Sequence, residues 1–202
     1  MAHDKNIPVQ TVERAVLDRA AYGGQHQGVV AHVSDYEYSE VSDILELAAE
    51  RNEPPFIIIL DGIEDPHNLG AIIRTADAAG AHGIIIPKRR AAAVTATAEK
   101  AAAGAASYVH VARVTNISQT IEDLKKEGVW IAAVDMDGDI YTEADFTGPI
   151  AFVTGSEGSG ISRLVKEKCD FCVSIPMKGG VNSLNASNAA AILMYEAVRQ
   201  RG

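Results

Sequence analysis

Apolar runs and helical segments alternate along this chain from residue 54 onward. Six apolar, partly β-branched runs predict strands at 56–60, 83–86, 108–114, 130–134, 150–154 and 171–175. The spacing of apolar residues between and after them predicts helices near 68–79, 95–103, 117–127, 161–168 and 184–200. Continuous apolar strands that alternate with helices are typical of a parallel sheet covered on both faces. We therefore predict an α/β fold with a parallel sheet of about six strands and helices on both faces.

The first 53 residues follow a different pattern and hold few apolar side chains. They predict a helix at 11–21, a strand at 28–33 and a second helix at 41–51. Pro54 and Pro55 mark a boundary, because proline can neither continue a helix nor donate to a strand ladder. We therefore divide the chain into a segment 1–53, which is too poor in apolar residues for a core of its own, and a domain 54–202.

The 202 residues carry a formal net charge of −9, which bears on possible partners. Residues 1–53 hold 4 basic and 10 acidic side chains, and residues 54–202 hold 14 and 17. An acidic chain is a poor general binder of nucleic acid, because affinity for phosphates depends on Lys and Arg. A local basic cluster at Lys88, Arg89 and Arg90 weakens this argument against a nucleic-acid partner but does not remove it.

The sequence lacks the features of a membrane protein or a metalloprotein. No apolar run reaches the roughly 20 residues of a membrane span, and the first residues do not resemble a signal peptide, so we expect a cytoplasmic protein. Cys169 and Cys172 lack the second pair or nearby histidine of a zinc site and are expected to be core thiols. Asp135, Asp137 and Asp139 lack the spacing of a calcium loop and are expected to form a solvated turn. The sequence thus predicts no metal site.

Three polar segments follow or close predicted strands: DPHNLGAIIRTADAAGA (65–81), FVTGSEGSGIS (152–162) and SIPMKGGVNSLNAS (174–187). Ligands of parallel sheets bind beyond the carboxyl ends of the strands. We therefore expect the three segments to meet at one site.

The third segment ends where the last helix is predicted to begin. Four polar side chains crowd this position, Ser183, Asn185, Ser187 and Asn188, and the backbone N–H groups of a first helical turn lack partners. A single N-cap would account for only one of them. We therefore favour a polar binding surface at the helix start over simple capping.

The second segment invites comparison with a phosphate-binding loop. Gly155, Gly160 and Ser162 fit the pattern GxxxxGK[ST], but Ile161 stands where the lysine is required. Glu157 would also place a negative charge where phosphates bind. The sequence therefore disfavours a nucleoside triphosphatase, and the glycines suit close approach of the backbone to a cofactor without phosphates.

In this order, the three segments resemble the signatures of the SpoU (TrmH-type) branch of the SPOUT methyltransferases, most closely those of the 23S rRNA guanosine-2′-O-methyltransferases. The resemblance implies a C-terminal trefoil knot, which periodicity alone does not predict. It also implies transfer of a methyl group from S-adenosylmethionine to a ribose 2′-hydroxyl in RNA, with large-subunit rRNA as the expected substrate, and a homodimer through the knotted domain. A tRNA 2′-O-methyltransferase and a non-catalytic RNA-binding homologue stay open as alternatives.

Site residues follow from the resemblance position by position. It implies catalytic or substrate-facing roles for Asn68, Arg74, Glu157, Ser183 and Asn185, and cofactor contacts, largely through backbone, for Gly155, Ile175 and Leu184. From the residues alone, Arg74 would be an exposed arginine on an amphipathic helix. Because arginine stays protonated in proteins, we expect Arg74 to anchor a phosphate and stabilise the forming alkoxide rather than act as a base. Glu157 is expected to position the target nucleoside or to pair with Arg74.

The segment HQGVVA (26–31) resembles the end of the small N-terminal RNA-binding domain of the rRNA enzymes in this family. Most of that domain would be missing, so residues 1–53 are expected to be its remnant or a linker, in a truncated or naturally short chain. Three positions depart from the family pattern: Ser159, Gly180 and Asn188. None of them replaces a proposed catalytic group.

Overall fold

The computed structural model describes residues 9–21, 24–30 and 36–202, and the chain divides after residue 35 into two compact units. In the first unit, helix α1 (Arg14–Ala20) begins three residues later than predicted. Residues 28–30 form no strand, and the rest of the strand predicted at 28–33 lies outside the described residues. His26 fixes a turn here, since its Nδ1 accepts from Gly28 N at 3.0 Å and its Nε2 lies 2.8 Å from Asp18 Oδ1.

All six strands of the second unit are parallel and form one sheet. In chain order they are β1 (Phe56–Asp61), β2 (Gly83–Pro87), β3 (His110–Val114), β4 (Trp130–Ile140), β5 (Ile150–Gly155) and β6 (Phe171–Ser174). Their order in the sheet is β3-β2-β1-β5-β4-β6, which puts β1 beside β5 at the centre. The predicted parallel α/β fold is confirmed, and the trefoil knot stays a prediction from the resemblance.

Helices cover both faces of this sheet: α2 (Val41–Arg51), α3 (Pro66–Ala78), α4 (Ala96–Ala102), α5 (Ile117–Lys126), α6 (Arg163–Lys166) and α7 (Ala186–Arg201). One core cluster joins α3, α4 and α7 to one face, and a second joins α2, α5 and α6 to the other. Ile58 and Leu60 of β1 enter the first cluster, and Ile57 and Ile59 enter the second. The strand is apolar throughout because successive side chains point to opposite, equally buried faces. No described helix is long and apolar enough to cross a membrane.

The last helix, α7, is anchored firmly at its carboxyl end. The Arg201 guanidinium donates to Gly148 O at 2.7 Å, to Phe146 O at 3.0 Å and to Pro54 O at 3.2 Å, and it stacks 4.9 Å from the centre of the Phe56 ring. These contacts hold the end of α7 at the amino edge of the sheet. A helix of 16 residues is about 24 Å long and a six-residue strand about 20 Å. The start of α7 therefore lies at the carboxyl edge of β1 and β5.

The structure corrects the predicted turn at the aspartates of the fourth strand. Residues 135–139 continue β4, which shifts its register against β6 so that Val134 and Asp139 both pair with Val173. Gly138 permits this close approach, because a Cβ there would lie 2.5 Å from the backbone carbonyl carbon of Cys172.

Other boundaries also differ from the prediction: α3 begins two residues earlier, at Pro66, and α7 begins two residues later, at Ala186. β3 begins at His110 instead of residue 108, because residues 105–107 form a turn of 3₁₀ helix just before it. The helix predicted at 161–168 is limited to α6, with Ser162 as its N-cap.

Candidate active site

The loops after β1, β5 and β6 meet beyond the carboxyl ends of the strands, as the three sequence segments predicted. Their meeting point is a set of hydrogen bonds among Asn68, Glu157 and Asn185, here called the amide–carboxylate cluster. Asn68 Nδ2 donates to Glu157 Oε1 at 3.0 Å, and Asn185 Nδ2 donates both to Asn68 Oδ1 at 2.9 Å and to Glu157 Oε1. Each residue comes from a different segment, and Asn68 and Asn185 are 117 positions apart. The cluster therefore joins three distant stretches of chain.

Asn185 also starts the last helix. It is the N-cap of α7, and its Oδ1 accepts from Ser187 N at 2.9 Å and from Ser187 Oγ. Glu157 Oε1 accepts a further hydrogen bond from Ala186 N at 3.4 Å. The unpaired N–H groups and the dipole at this end of α7 stabilise the Glu157 carboxylate. The crowded polar residues thus divide into a cap, Asn185 and Ser187, and two exposed side chains, Ser183 and Asn188.

The loop after β5 is a tight turn closed on itself. Ser156 N donates to Gly160 O at 3.2 Å, and Gly160 N donates back to Ser156 O at 2.9 Å. A Cβ on Gly155 would lie 2.0 Å from the carbonyl carbon of Gly160, so the turn itself requires glycine at this position. Ser162 N donates to Asp61 Oδ2 at 2.7 Å and ties the turn to the end of β1. Glu157 is therefore carried on a backbone fixed at both ends.

Two cavities adjoin the amide–carboxylate cluster, and the smaller one measures about 500 Å³. Gly155, Ile175 and Leu184, the residues for which cofactor contacts were predicted, all line it. Glu157 and Ser183 line it as well. Binding sites for small molecules typically measure about 300–1,000 Å³, so this cavity has the size of a ligand site.

The wall of the smaller cavity combines apolar side chains, backbone and carboxylates. Among its described lining residues there is no Lys or Arg, whereas Asp135 and Glu157 contribute carboxylates. Lys166 Nζ lies 3.0 Å from Asp135 and offsets its charge. Thr154 is 4% exposed, and its Oγ1 has no hydrogen-bond partner in the part of the chain that the structure describes. Such a wall favours a neutral or cationic ligand over one with phosphates.

The larger cavity, about 890 Å³, lies over the ends of four neighbouring strands, β3, β2, β1 and β5. Asn68 and Glu157 line it, together with Arg89 and Arg90 from the turn after β2. Residues 156–160 and Ala186 line both cavities. The turn that carries Glu157 is therefore a wall shared by the two cavities.

Arg74 is the predicted site residue that the structure leaves outside this arrangement. It is exposed on α3 and lines neither cavity. Successive residues of a helix turn by about 100°, so Arg74 lies about 240° around α3 from Asn68. No ion pair joins Arg74 to Glu157 within the described ranges, and the amides of Asn68 and Asn185 occupy Glu157 Oε1 instead. The structure of the single chain therefore does not show this pairing, and both alternatives for Glu157 and phosphate anchoring by Arg74 stay predictions.

The two cysteines lie partly buried against the second core cluster. Burial raises the pKa of the Cys169 thiol to about 12, and Cys169 Sγ donates to Val165 O at 3.3 Å. Burial also raises the pKa of Cys172. Thiols in this state stay protonated and are poor nucleophiles. In the ranges described, no group of three or more His, Cys, Asp or Glu side chains is arranged to hold a metal ion.

Two features of the site were missed from the sequence. Thr154 looks like an ordinary strand residue, and nothing in its neighbours signals an unpaired hydroxyl. Arg89 and Arg90 were recognised as a basic cluster but were not assigned to the site. A signal for them existed, because they directly follow a predicted strand and therefore lie at the edge of a parallel sheet where ligands bind.

Comparison with sequence families covers most of the chain. The model of the SpoU rRNA Methylase family matches residues 55–195, more than half of the chain. A second family model, described as RNA 2′-O ribose methyltransferase substrate binding, matches residues 1–39.

Individual relatives agree with this result. The chain is 53% identical to YacO of Bacillus subtilis (strain 168), a protein named as a TrmH family tRNA/rRNA methyltransferase, over 100% of this chain and 81% of the relative. The structure of the SpoU methyltransferase AviRb from Streptomyces viridochromogenes in complex with AdoMet matches with a TM-score of 0.69 and 35% identity, over 74% of this chain and 61% of AviRb. An AdoMet-bound rRNA methyltransferase from Sinorhizobium meliloti matches with a TM-score of 0.71 and 30% identity, over 81% of this chain and 61% of that protein. This chain therefore belongs to the SpoU rRNA methylase family.

Proposed function

We propose that this chain transfers a methyl group from S-adenosylmethionine to a ribose 2′-hydroxyl of RNA, and that the RNA is large-subunit rRNA. The observation that carries the proposal is the amide–carboxylate cluster of Asn68, Glu157 and Asn185, which borders two cavities at once. The smaller cavity suits the cofactor, and the larger one suits a nucleotide. The family match and the substrate-binding match described for 2′-O ribose methyltransferases support this reaction.

The smaller cavity fits S-adenosylmethionine by size and by charge. Gly155, Ile175 and Leu184 would hold the cofactor, largely through backbone groups, and Thr154 Oγ1 is a buried hydroxyl that lacks a partner among the described residues. When bound, S-adenosylmethionine supplies a methyl group on a positively charged sulfonium. A wall with the Glu157 carboxylate and without a described lysine or arginine is compatible with that charge.

Glu157 is oriented by the protein before any substrate arrives. Its Oε1 accepts from Asn68 Nδ2, from Asn185 Nδ2 and from Ala186 N. Within the described ranges its Oε2 receives no hydrogen bond. We propose that Glu157 Oε2 accepts the hydrogen bond of the ribose 2′-hydroxyl and directs the hydroxyl oxygen toward the smaller cavity. Fixed positioning of this kind accounts for a large part of the rate enhancement of many transfer reactions.

Arg74 is proposed to anchor a phosphate of the RNA and to stabilise the negative charge on the ribose oxygen during transfer. Its planar guanidinium suits phosphate oxygens, and a fixed cation near a forming alkoxide lowers the barrier. This role comes from the resemblance, since Arg74 lines neither cavity in the single chain.

The resemblance also supports proposals about partners and place. We propose a homodimer formed through a knotted C-terminal region, which light scattering on the purified chain tests. We propose that residues 1–53 belong to, or link from, an RNA-binding domain and that residues 54–202 carry out methyl transfer, and the match over residues 1–39 supports this division. A cytoplasmic location follows from an rRNA substrate. The tRNA alternative is the second candidate, since the name of YacO covers both kinds of RNA.

Removal of the protein from cells should abolish ribose methylation at a position in large-subunit rRNA and leave tRNA methylation unchanged. Mapping of 2′-O-methyl groups in both RNAs, with and without the protein, checks this. Loss confined to tRNA would make tRNA the substrate. Unchanged methylation of both RNAs would favour the non-catalytic alternative.

S-adenosylmethionine should bind the purified chain, and ATP with magnesium should not, because the described residues that line the smaller cavity include no lysine or arginine for the phosphates. Isothermal calorimetry with each ligand checks this. Gly155→Ala should weaken S-adenosylmethionine binding at least tenfold, since the added methyl group displaces the turn after β5. Gly148→Ala is the matched control, because a Cβ there meets no atom within 4 Å. Tight ATP binding would contradict the proposed function.

Arg74→Ala should lower methyl transfer about 100-fold and leave the affinity for S-adenosylmethionine within a few-fold, because Arg74 acts on the RNA. Arg74→Lys should also fail, because an ammonium group cannot reproduce the planar fork. Steady-state kinetics and calorimetry measure the two effects, with Lys126→Ala as an exposed control. A fully active lysine variant would show that positive charge alone suffices.

Substitution of Asn185 should separate its capping role from its role in the cluster. Asn185→Ser keeps a good N-cap, so the free energy of unfolding should change by less than about 0.5 kcal/mol, while loss of the amide frees Glu157 and lowers methyl transfer about 10- to 100-fold. Asn185→Ala should also destabilise the fold by about 0.5–2 kcal/mol. Urea denaturation and kinetics on both variants check this. Wild-type activity in Asn185→Ser would show that Asn185 acts only as the N-cap of α7.

A further inference from the structure

The larger cavity changes charge along the edge of the sheet. Over the ends of β1 and β5 it is lined by four carboxylates, those of Asp61, Glu64, Asp65 and Glu157. Over β2 the lining changes to Arg89 and Arg90, the basic side chains among the described lining residues. Over β3 it ends with Thr115 and Ser118. Because the strand order is β3-β2-β1-β5, the lining passes from hydroxyl to basic to acidic along one direction.

The turn that carries the two arginines is fixed at both ends. Lys88 N donates to Val114 O at 2.8 Å, which ties the turn to the end of β3. Ala92 N donates to Ile63 O at 2.7 Å, which ties it to the loop that leads to Asn68. The turn is closed by Arg90, whose φ of 56° is a conformation that few residues other than glycine adopt. The backbone of the arginines is therefore held in a set position relative to the amide–carboxylate cluster.

A third arginine supports this turn from the sheet side. Arg113 Nη2 donates to Lys88 O at 3.3 Å, and the Arg113 guanidinium stacks 4.7 Å from the centre of the Tyr38 ring. Tyr38 Oη in turn accepts from Val94 N at 2.9 Å. Arg113 is thus a positioning residue for the turn, while Arg89 and Arg90 have exposed side chains.

We infer that Arg89 and Arg90 bind a backbone phosphate adjacent to the target nucleotide. The inference rests on the proposed function, since it takes the substrate to be RNA. Guanidinium groups suit phosphate oxygens. The carboxylates over β1 and β5 repel phosphates. A nucleotide with its ribose at Glu157 therefore has one favourable direction for its backbone, toward the turn after β2.

The spacing of the sheet agrees with this arrangement. Neighbouring strands lie about 4.8 Å apart, and β2 is two strands from β5, so the turn after β2 and the turn after β5 are separated by about 10 Å. One nucleotide together with an extended arginine side chain spans such a gap. The larger cavity thus has room for a single nucleotide held at its ribose and at one phosphate.

The test compares the full chain with Arg89→Ala, Arg90→Ala and the double variant. Binding of a labelled single-stranded RNA of mixed sequence is measured by fluorescence anisotropy over a series of salt concentrations. The two arginines are inferred to neutralise one phosphate, so the slope of log affinity against log salt should be shallower by about 0.7 in the double variant. The KM for RNA in methyl transfer should rise about tenfold, while the affinity for S-adenosylmethionine in calorimetry stays unchanged.

Lys126→Ala is the control, because it removes one positive charge from an exposed position at the end of α5. Its salt slope and KM should equal those of the unmodified chain. A double alanine variant that behaves like Lys126→Ala overturns the phosphate contact and leaves the proposed function intact. An unmodified chain that binds S-adenosylmethionine but neither binds nor methylates RNA overturns the proposed function and this inference together.

Discussion

The site depends on the parallel pairing of β1 with β5. This ladder runs from the pair Phe56 and Ile150 to the pair Asp61 and Gly155, and it joins the half of the sheet formed by β1–β3 to the half formed by β4–β6. The connections leave in opposite directions from this point, which opens a crevice beyond the strand ends. The register of this ladder places Gly155 beside Asp61. That register brings Asp61 close enough to bind the turn that carries Glu157.

Local charge matters more at this site than the net charge of the chain. A formal charge of −9 argues against an RNA partner when it is taken as an average. The structure concentrates two arginines over one strand end and carboxylates over its neighbours, so the field inside the larger cavity has a direction. Opposite ends of a cavity that differ in sign can orient a polyanion as well as attract it.

The sequence allowed close prediction where local pattern and tertiary structure agree. β1, β2 and β5 end within one residue of their predicted limits, because each is a nearly continuous apolar run with two buried faces. β6 does so as well, although it is an edge strand with one fully buried residue. β4 was predicted too short, since its aspartates have low strand propensity and its pairing with β6 resumes at Asp139 only after a register shift. The meeting of Asn68, Glu157 and Asn185 followed from the three segments. The sequence did not predict that the Asn68 and Asn185 amides both donate to Glu157 Oε1. That arrangement depends on the docking of α7, which no local pattern encodes.

The shared wall between the two cavities has a thermodynamic consequence. Residues 156–160 and Ala186 contact whatever occupies either cavity. If one ligand changes the order or position of this turn, it changes the free energy with which the other ligand binds. Linkage then requires that the effect be reciprocal: the factor by which a first ligand alters the affinity for a second equals the factor by which the second alters the affinity for the first. The order in which cofactor and substrate bind therefore affects the rates of binding. It does not change the total free energy of forming the complex with both ligands.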